Sequence, residues 1–235
     1  MLRTLAIGLG GHVHGMGGDD ESASGRPAGQ AGQPAGLAPE LPSELAARKA
    51  ELRLRVLGAR RRLIPAERAL AGRQLRDAIL EDPQAQMAGV VAAYVSVGSE
   101  PDTRALIFAL WKRGTYVLLP LLRPDQDLDW ASYEGPDSLV EGPRGLVEST
   151  EPPRGVEAIT SADLVLVPAL AADRVGNRLG RGGGSYDRAL ARVGPAVPTI
   201  ALLYEDELMD DIPAGPQDQR VRAVAQPAEG IIRLA

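Results

Sequence analysis

The sequence has no cysteine and only two histidines, His12 and His14, among its 235 residues. The lack of cysteine excludes disulfide bonds, thiolate metal sites and a cysteine nucleophile. Both histidines lie in a glycine-rich segment near the N-terminus, so the rest of the chain cannot supply a Ser-His-Asp triad. Any catalysis must therefore depend on carboxylates, arginine, lysine, tyrosine and backbone groups.

Phenylalanine and long apolar segments are also scarce. Phenylalanine occurs once, and no apolar run is long enough to cross a membrane. Residues 1–10 are too short and too rich in glycine for a signal peptide. The formal net charge of −5 argues against a general nucleic-acid-binding protein, which is usually basic. We therefore expect a cytoplasmic monomer that acts on small molecules, with no nucleic acid or membrane partner.

The composition changes sharply near residue 42. Residues 1–41 are rich in glycine, alanine and proline and contain few large apolar residues, which is typical of a disordered tail. Apolar residues make up 44% of the whole chain, enough for a sizeable core. The sequence thus predicts a tail over 1–41 and a single α/β domain over 42–235.

Two helices are predicted at the start of the domain. Ser43 is suited to cap the first helix, which should end at Gly58. The second should cover 64–80, with Pro65 in its first turn and Asp82-Pro83 beyond its end.

The remainder predicts an open, mostly parallel sheet. Residues 90–97 form an apolar strand, 102–113 a helix and 115–119 a second strand that Pro120 should end, which makes a right-handed β-α-β crossover. Further strands are expected at 164–168, 199–204 and 221–224, with an exposed strand at 126–133 and an irregular stretch at 135–158. The fold class is therefore three-layer α/β, with helices on both faces. Glu100 then follows a strand, where open α/β sheets bind ligands.

A glycine-rich loop lies between the strand at 164–168 and a short predicted helix at 186–192. Its sequence, from 177 to 187, is Asn-Arg-Leu-Gly-Arg-Gly-Gly-Gly-Ser-Tyr-Asp. Glycine lets the backbone approach a ligand closely, and the N-terminus of a helix attracts anions. Arg178 and Arg181 add positive charge to the loop. The pattern favours phosphate binding over a flexible surface hairpin.

The order of these features resembles the 5-formyltetrahydrofolate cyclo-ligase (methenyltetrahydrofolate synthetase) family. The signature combines the strand at 164–168, Asp173, the glycine-rich loop and Tyr186-Asp187. Four further segments fit the family pattern in the right order, and the resemblance covers about 44–224. Those segments are Lys49–Arg53, Gly98–Thr103, Gly145–Glu148 and Asp218–Val221.

The resemblance implies an enzyme that uses ATP and Mg²⁺ to convert 5-formyltetrahydrofolate to 5,10-methenyltetrahydrofolate. In that reaction the formyl oxygen is phosphorylated, N10 attacks the activated carbon and phosphate leaves. Phosphoryl transfer depends mainly on positioning and charge neutralisation, which suits a domain without histidine or cysteine.

The resemblance also implies roles for individual residues. Arg181 and Tyr186 would be catalytic, Asp187 and Asp218 would bind Mg²⁺, and Glu100 would hold the polar edge of the pterin. ATP would be bound by Lys49, Arg53, Arg178, Leu179, Gly180, Arg181, Gly182, Gly183, Gly184, Ser185 and Tyr186. The folate would contact Glu100, Arg181, Gly182, Gly183, Gly184 and Ser185.

Three alternatives remain open. A cyclo-ligase-like paralogue would act on a different substrate. A nucleotide-binding regulator would need only the glycine-rich loop. An ATP-independent enzyme resembling sugar-phosphate isomerases would use Glu100 or Asp187 as a general base. It would leave the Lys49/Arg53 segment and the pairing of Asp187 with Asp218 without a clear use.

Overall fold

The computed structural model describes residues 42–142 and 145–234. The expectation of a disordered tail over 1–41 lies outside these residues. No helix within the described ranges is both long enough and apolar enough to span a membrane.

The first helix is longer than the sequence predicted. Helix α1 covers Pro42–Arg62, so Ser43 lies inside its first turn and Gly58 lies inside the helix. Glycine costs a helix about 1 kcal/mol relative to alanine. Contacts of the last turn compensate for this cost, because the buried Arg60 donates two hydrogen bonds to Glu207 and one to the carbonyl of Ala169.

The next helices agree more closely with their sequence signals. Helix α2 covers Pro65–Glu81, with proline in its first turn as predicted. Asp82 follows it and accepts hydrogen bonds from the N–H groups of Gln84 and Ala85, thereby capping helix α3, Pro83–Met87. Helix α4 covers Arg104–Lys112.

Seven strands form the main sheet: β1 Val90–Ala92, β2 Tyr116–Leu122, β3 Leu128–Ser132, β6 Leu164–Pro168, β9 Thr199–Leu202, β11 Ala223–Gln226 and β12 Gly230–Arg233. Their order across the sheet is β12-β11-β9-β6-β1-β2-β3. The five inner strands are parallel, and β3 and β12 are antiparallel edge strands. The chain moves from β1 to β2 on one side and returns to the other side of β1 with β6.

Alternate residues of the inner strands pack on opposite faces of the sheet. In β6, Leu164 and Leu166 join a core with α2 and α4, whereas Val165 and Val167 join a second core. The second core contains Ile159, from the 3₁₀ turn Val156–Ser161, and helix α5, Ser185–Leu190. The prediction of an α/β fold with a mostly parallel sheet is confirmed.

Several predictions about individual strands were wrong. The strand predicted at 126–133 is not exposed, because Trp130 is fully buried and Leu128 and Tyr133 nearly so. Pro120 does not end β2, because β1 pairs only as far as Leu118 and no strand on that side needs the missing N–H. Strand β1 ends at Ala92, so the strand predicted over 90–97 is shorter than expected. The edge strand β12 was not predicted.

Two smaller sheets complete the domain. Strands β10 Leu208–Met209, β7 Ala171–Asp173 and β8 Arg178–Leu179 form one. The stretch predicted to be irregular contains the other, an antiparallel pair of β4 Leu139–Glu141 and β5 Val147–Ser149. Leu52 and Val56 of α1 pack on β7 and β8, which fixes α1 beside the glycine-rich loop.

Candidate active site

A cavity of about 800 Å³ lies at the carboxyl ends of β1 and β6. This is where the strand order reverses, and open α/β sheets bind ligands at such a switch point. Helix α1, the glycine-rich loop, the β4–β5 pair and the segment at 217–219 complete its walls. Elements distant in sequence therefore meet around one opening.

The glycine-rich loop follows β8 and leads directly into α5. Gly182 has φ of +107°, and a Cβ atom there would lie 3.4 Å from the guanidinium carbon of Arg53. Gly176, before the loop, has φ of +90°, and a Cβ atom would lie 2.3 Å from the carbonyl oxygen of Val221. Both positions require glycine, because a side chain would be strained at one and would overlap backbone at the other.

Asp173 fixes the turn that precedes the loop. The residue is 1% exposed and accepts four hydrogen bonds. The donors to Oδ1 are the N–H groups of Val175 and Asn177, and the donors to Oδ2 are the Asn177 side chain and the N–H of Ile212. All the acceptor positions of this carboxylate are occupied by the protein, so Asp173 supports the loop rather than a ligand.

Asp187, in the first turn of α5, faces the cavity. Its Oδ1 accepts hydrogen bonds from Arg178 at 2.8 Å and from the N–H of Gln219 at 3.1 Å. Arg178 is almost fully buried and also reaches the carbonyl of Pro168 at the end of β6. These contacts bring the segment that carries Asp218 against Asp187.

Asp218 forms a second ion pair at the cavity. Lys49 Nζ lies 2.5 Å from its Oδ2, and the N–H of Gly215 donates to the same oxygen. Burial acts to raise the pKa of Asp218, but the Gly215 N–H and the Lys49 ammonium outweigh it, so the pKa is lowered. Asp218 is therefore ionised at neutral pH.

Glu100 and Arg181 form a third ion pair, at 3.0 Å, with the glutamate buried and the arginine half exposed. The other carboxylate oxygen of Glu100 accepts from the N–H of Val97, and Arg181 also donates to the Val97 carbonyl. A carboxylate has about four acceptor positions, so Glu100 is oriented by these contacts but still has capacity for a ligand.

All the site residues predicted from the sequence line this cavity. Arg53 donates to the carbonyl of Gly180 at 2.9 Å and so braces the loop from α1. The geometry does not test the individual roles, which stay predictions. The residues concerned are Lys49, Arg53, Glu100, Arg178, Leu179, Gly180, Arg181, Gly182, Gly183, Gly184, Ser185, Tyr186, Asp187 and Asp218.

The sequence missed other lining residues. Tyr94 was counted only as part of an apolar strand, although a phenol near the carboxyl end of a parallel strand was an available signal. Glu148 was noted only as part of a family segment; it accepts a hydrogen bond from the N–H of Leu122 and fixes β5 beside β2. Gln219 enters through its backbone, and no side-chain pattern indicates such a contact.

The two aspartates fit a divalent cation. Among the described residues, only one oxygen of each accepts hydrogen bonds, Oδ1 of Asp187 and Oδ2 of Asp218. Mg²⁺ usually takes one or two protein carboxylates and completes its shell with water and phosphate oxygens. Within the described ranges, no group of three or more acidic or histidine side chains forms an all-protein metal cage.

The fold and the cavity place the chain among doubly wound α/β proteins that bind a small ligand at the switch point of the sheet. A sequence profile of the 5-formyltetrahydrofolate cyclo-ligase family matches residues 45–227. The chain belongs to this family.

Individual relatives agree with this assignment. The 5-formyltetrahydrofolate cyclo-ligase of Mycolicibacterium smegmatis is 46% identical over 149 residues, which is 61% of this chain and 76% of the relative. The Escherichia coli K12 protein of the same name is 31% identical, over 67% of this chain and 88% of the relative. The structure of Aquifex aeolicus 5,10-methenyltetrahydrofolate synthetase superposes with a TM-score of 0.69 at 27% identity, covering 79% of this chain and 92% of that one.

Proposed function

We propose that this protein converts 5-formyltetrahydrofolate to 5,10-methenyltetrahydrofolate, using ATP as its Mg²⁺ complex and releasing ADP and phosphate. One observation carries the proposal. A single cavity contains a glycine-rich loop with arginines, two carboxylates that each keep one oxygen available, and a separate oriented glutamate. These are the parts required to hold a triphosphate, a metal ion and a pterin together.

The phosphate end of the site is supported by the loop and by α1. The glycines expose backbone near Gly182, and Arg178, Arg181 and Arg53 surround that segment with positive charge. Lys49 lies on the same side, paired with Asp218. We propose that these residues bind ATP, together with Leu179, Gly180, Gly183, Gly184, Ser185 and Tyr186.

Asp187 and Asp218 would hold Mg²⁺ through their available oxygens. The ion would neutralise charge on the phosphates during transfer. The contacts from Arg178 and Gln219 fix the orientation of Asp187, and those from Lys49 and Gly215 fix Asp218. Lys49 lines the same cavity, so its ammonium would add positive charge beside the phosphates.

The folate end is supported by Glu100 and Arg181, which form an ion pair on the cavity wall. Glu100 would accept hydrogen bonds from the donor edge of the pterin, while Arg181, half exposed, would contact both folate and phosphate. The chemistry would be phosphorylation of the formyl oxygen, attack by N10 on the formyl carbon and departure of phosphate. Arg181 and Tyr186 would stabilise charge as the phosphoryl group moves.

The decisive experiment follows the absorbance of the methenyl product from 5-formyltetrahydrofolate, with ATP or Mg²⁺ omitted in turn. We expect product only when both are present. Product without ATP, or no product under any condition, would contradict the proposal.

Thermal shifts separate the remaining functions. Stabilisation by Mg-ATP and by 5-formyltetrahydrofolate, each added alone, is expected here. Stabilisation by Mg-ATP alone would favour a nucleotide-binding regulator or a paralogue with another substrate. Stabilisation by neither would favour an ATP-independent enzyme of the isomerase type.

We also propose that the protein acts as a cytoplasmic monomer. Support for the monomer comes from the site, because a single chain supplies all the residues assigned to it. Light scattering after size-exclusion chromatography tests the oligomeric state, and a dimer would contradict it.

A further inference from the structure

A second cavity, a groove of about 450 Å³, lies between α4 and the β4–β5 pair. We call it the α4 groove. Val95 and Val147 line both this groove and the cavity of the candidate active site, so the two spaces adjoin at these side chains. The roles proposed above for ATP, Mg²⁺ and the pterin leave the α4 groove without a function.

The lining of the α4 groove is mostly apolar, and part of it is exposed. Ile107 and Phe108 come from α4, and Leu139 and Val140 come from β4. Phe108 is 42% exposed and Val140 is 47% exposed. Large apolar side chains that are exposed together in one concave site commonly mark a ligand or partner site. The groove therefore suits a flat apolar group such as an aromatic ring.

One cation accompanies this apolar lining. Arg104 begins α4, lines the groove and is exposed, and its guanidinium makes no hydrogen bond or ion pair with another described residue. The arginines of the active-site cavity differ, because each donates to a protein acceptor; these are Arg53, Arg178, Arg181 and Arg188. A guanidinium with all its donors available is well suited to bind a carboxylate.

Arg104 is held at a limited distance from the residue proposed to bind the pterin. It follows Glu100 by four residues, so their Cα atoms are at most about 14 Å apart. The start of α4 is also fixed, because the hydroxyl of Thr103 donates to the carbonyl of Tyr94 and accepts from the N–H of Ser96. A ligand held by Glu100 at one end can reach Arg104 at the other end if it is elongated.

The tail of a folate has this length and this chemistry. It consists of an aromatic p-aminobenzoyl group followed by glutamate, which carries the carboxylates. We propose that the α4 groove binds this tail, with the aromatic ring against Phe108 and Val140 and a glutamate carboxylate paired with Arg104. Glu141, which lines the groove from β4, would repel the carboxylate and so direct it towards α4. The inference rests on the proposed folate function and adds a second binding site for the same substrate.

Two further variants make the test specific. Lys112 is another exposed cation of α4, but it lines neither cavity, and its ammonium lies 5.6 Å from the ring centroid of Trp111. Lys112→Gln therefore removes the same charge from the same helix as Arg104→Gln does, away from the groove. Phe108→Ala tests the apolar wall. Circular dichroism verifies that each variant is folded.

The test is calorimetric titration of the full chain with 5-formyltetrahydrofolate and with its glutamate diamide, in which both carboxylates of the tail become neutral amides. We expect Arg104→Gln to bind the natural compound about fivefold more weakly, the upper end for an exposed ion pair, and to bind the diamide as wild type does. Phe108→Ala should bind both compounds more weakly by the same factor, because both keep the aromatic ring. Lys112→Gln should bind both as wild type does.

Four results would overturn the inference. In the first, Arg104→Gln binds the natural compound as tightly as wild type. In the second, Arg104→Gln loses the same affinity for both compounds, so that the charge of the tail is not what Arg104 recognises. In the third, Lys112→Gln loses as much affinity as Arg104→Gln, which would indicate only a general effect of charge. In the fourth, wild-type protein binds neither compound; this would contradict the proposed function as well, whereas the first three leave that function intact.

Discussion

The carboxylates of this protein fall into two groups that differ in how completely the protein surrounds them. Asp173 and Glu207 lie beside the cavity, are buried, and have both oxygens engaged by protein donors. Asp187 and Asp218 line the cavity and have one oxygen engaged each, among the described residues. The carboxylates of the first group are fully hydrogen-bonded to the protein, whereas those of the second can still accept a hydrogen bond from a ligand or bind a metal ion.

The difference shows how similar ion pairs serve different purposes. Arg60 and Glu207 connect α1 to the start of β10 beneath the cavity, whereas Arg178 and Asp187 connect the glycine-rich loop to α5 at its surface. An ion pair whose carboxylate is fully hydrogen-bonded to the protein fixes two elements but has no acceptor position available for a ligand. A cavity-lining pair with one available oxygen positions an acceptor without saturating it. Variants in the two groups should therefore separate stability from turnover.

The largest effect is expected from Asp187→Asn, on turnover. Asparagine keeps an oxygen for Arg178 and Gln219 but lacks the negative charge that would hold the metal ion. We expect kcat to fall about 10²- to 10³-fold, comparable to removing one preorganised charge-stabilising group. The measurement is ATP-dependent formation of the methenyl product, with circular dichroism to verify the fold.

Asp163→Asn provides the matched control for this variant. Asp163 also has one engaged oxygen, which accepts from the N–H groups of Gly89 and Val90, but it lies away from the cavity. Its variant should keep full turnover. Full activity in Asp187→Asn, or equal losses in both, would mean that available oxygens at the cavity have no special role.

Glu207→Gln should have the next largest effect, on stability rather than turnover. The variant leaves the buried guanidinium of Arg60 without its counter-charge, a loss that typically costs about 3 kcal/mol or more. Urea unfolding measures it, and kcat per folded molecule should remain near the wild-type value.

A double variant, Arg60→Met with Glu207→Leu, tests the cause. Replacing both charges removes the unpaired ion, so part of the lost stability should return. Recovery should be incomplete, because the carbonyl of Ala169 and the N–H of Tyr204 lose their partners. A double variant less stable than Glu207→Gln would contradict this explanation.

The sequence predicted one group better than the other. The fold class and the cavity-lining aspartates could be predicted, because the parallel strands are continuous apolar runs and Asp187 belongs to a specific motif. Asp173 was recognised only as part of that motif, and Glu207 was not singled out from the sequence. Their partners, such as Ile212 and Arg60, are distant in sequence, so no local spacing indicates them.

The failures in the fold have the same origin. Gly58 is an ordinary helix-ending signal, overridden by the buried contacts of Arg60. Pro120 is an ordinary strand-ending signal, tolerated because β1 is too short to pair beside it. In each case the deciding interaction is tertiary, and only the folded chain contains it.

A smaller effect is expected at the ion pair between Asp127 and Arg192, which does not line the cavity. Arg192 donates to both carboxylate oxygens of Asp127, at 3.0 and 2.6 Å. The hydrogen bonds from Arg192 lower the pKa of Asp127 despite some burial, assisted by the N–H of Leu128. A lowered pKa in the folded state contributes stability above the unfolded pKa of about 3.9, and that stability is lost as the pH falls through the folded value.

Asp127→Asn should therefore cost about 1 kcal/mol at pH 7, the upper end for partly exposed pairs. The difference from wild type should shrink below about pH 4. Urea unfolding at a series of pH values provides the measurement. A difference that stayed constant down to pH 2 would show that the pair does not stabilise through its charge.

The smallest effect is expected from Asp211→Asn. The guanidinium of Arg48 lies 3.2 Å from the carboxylate of Asp211, and their side chains are 52% and 74% exposed. Water screens such a pair, and ordering the two exposed side chains offsets most of the attraction, so stability should change by less than about 0.5 kcal/mol. Urea unfolding at low and at high salt measures this, and turnover should be unaffected. A loss as large as that in Glu207→Gln would show that burial does not determine how much an ion pair stabilises the fold, because the Asp211 side chain is largely exposed.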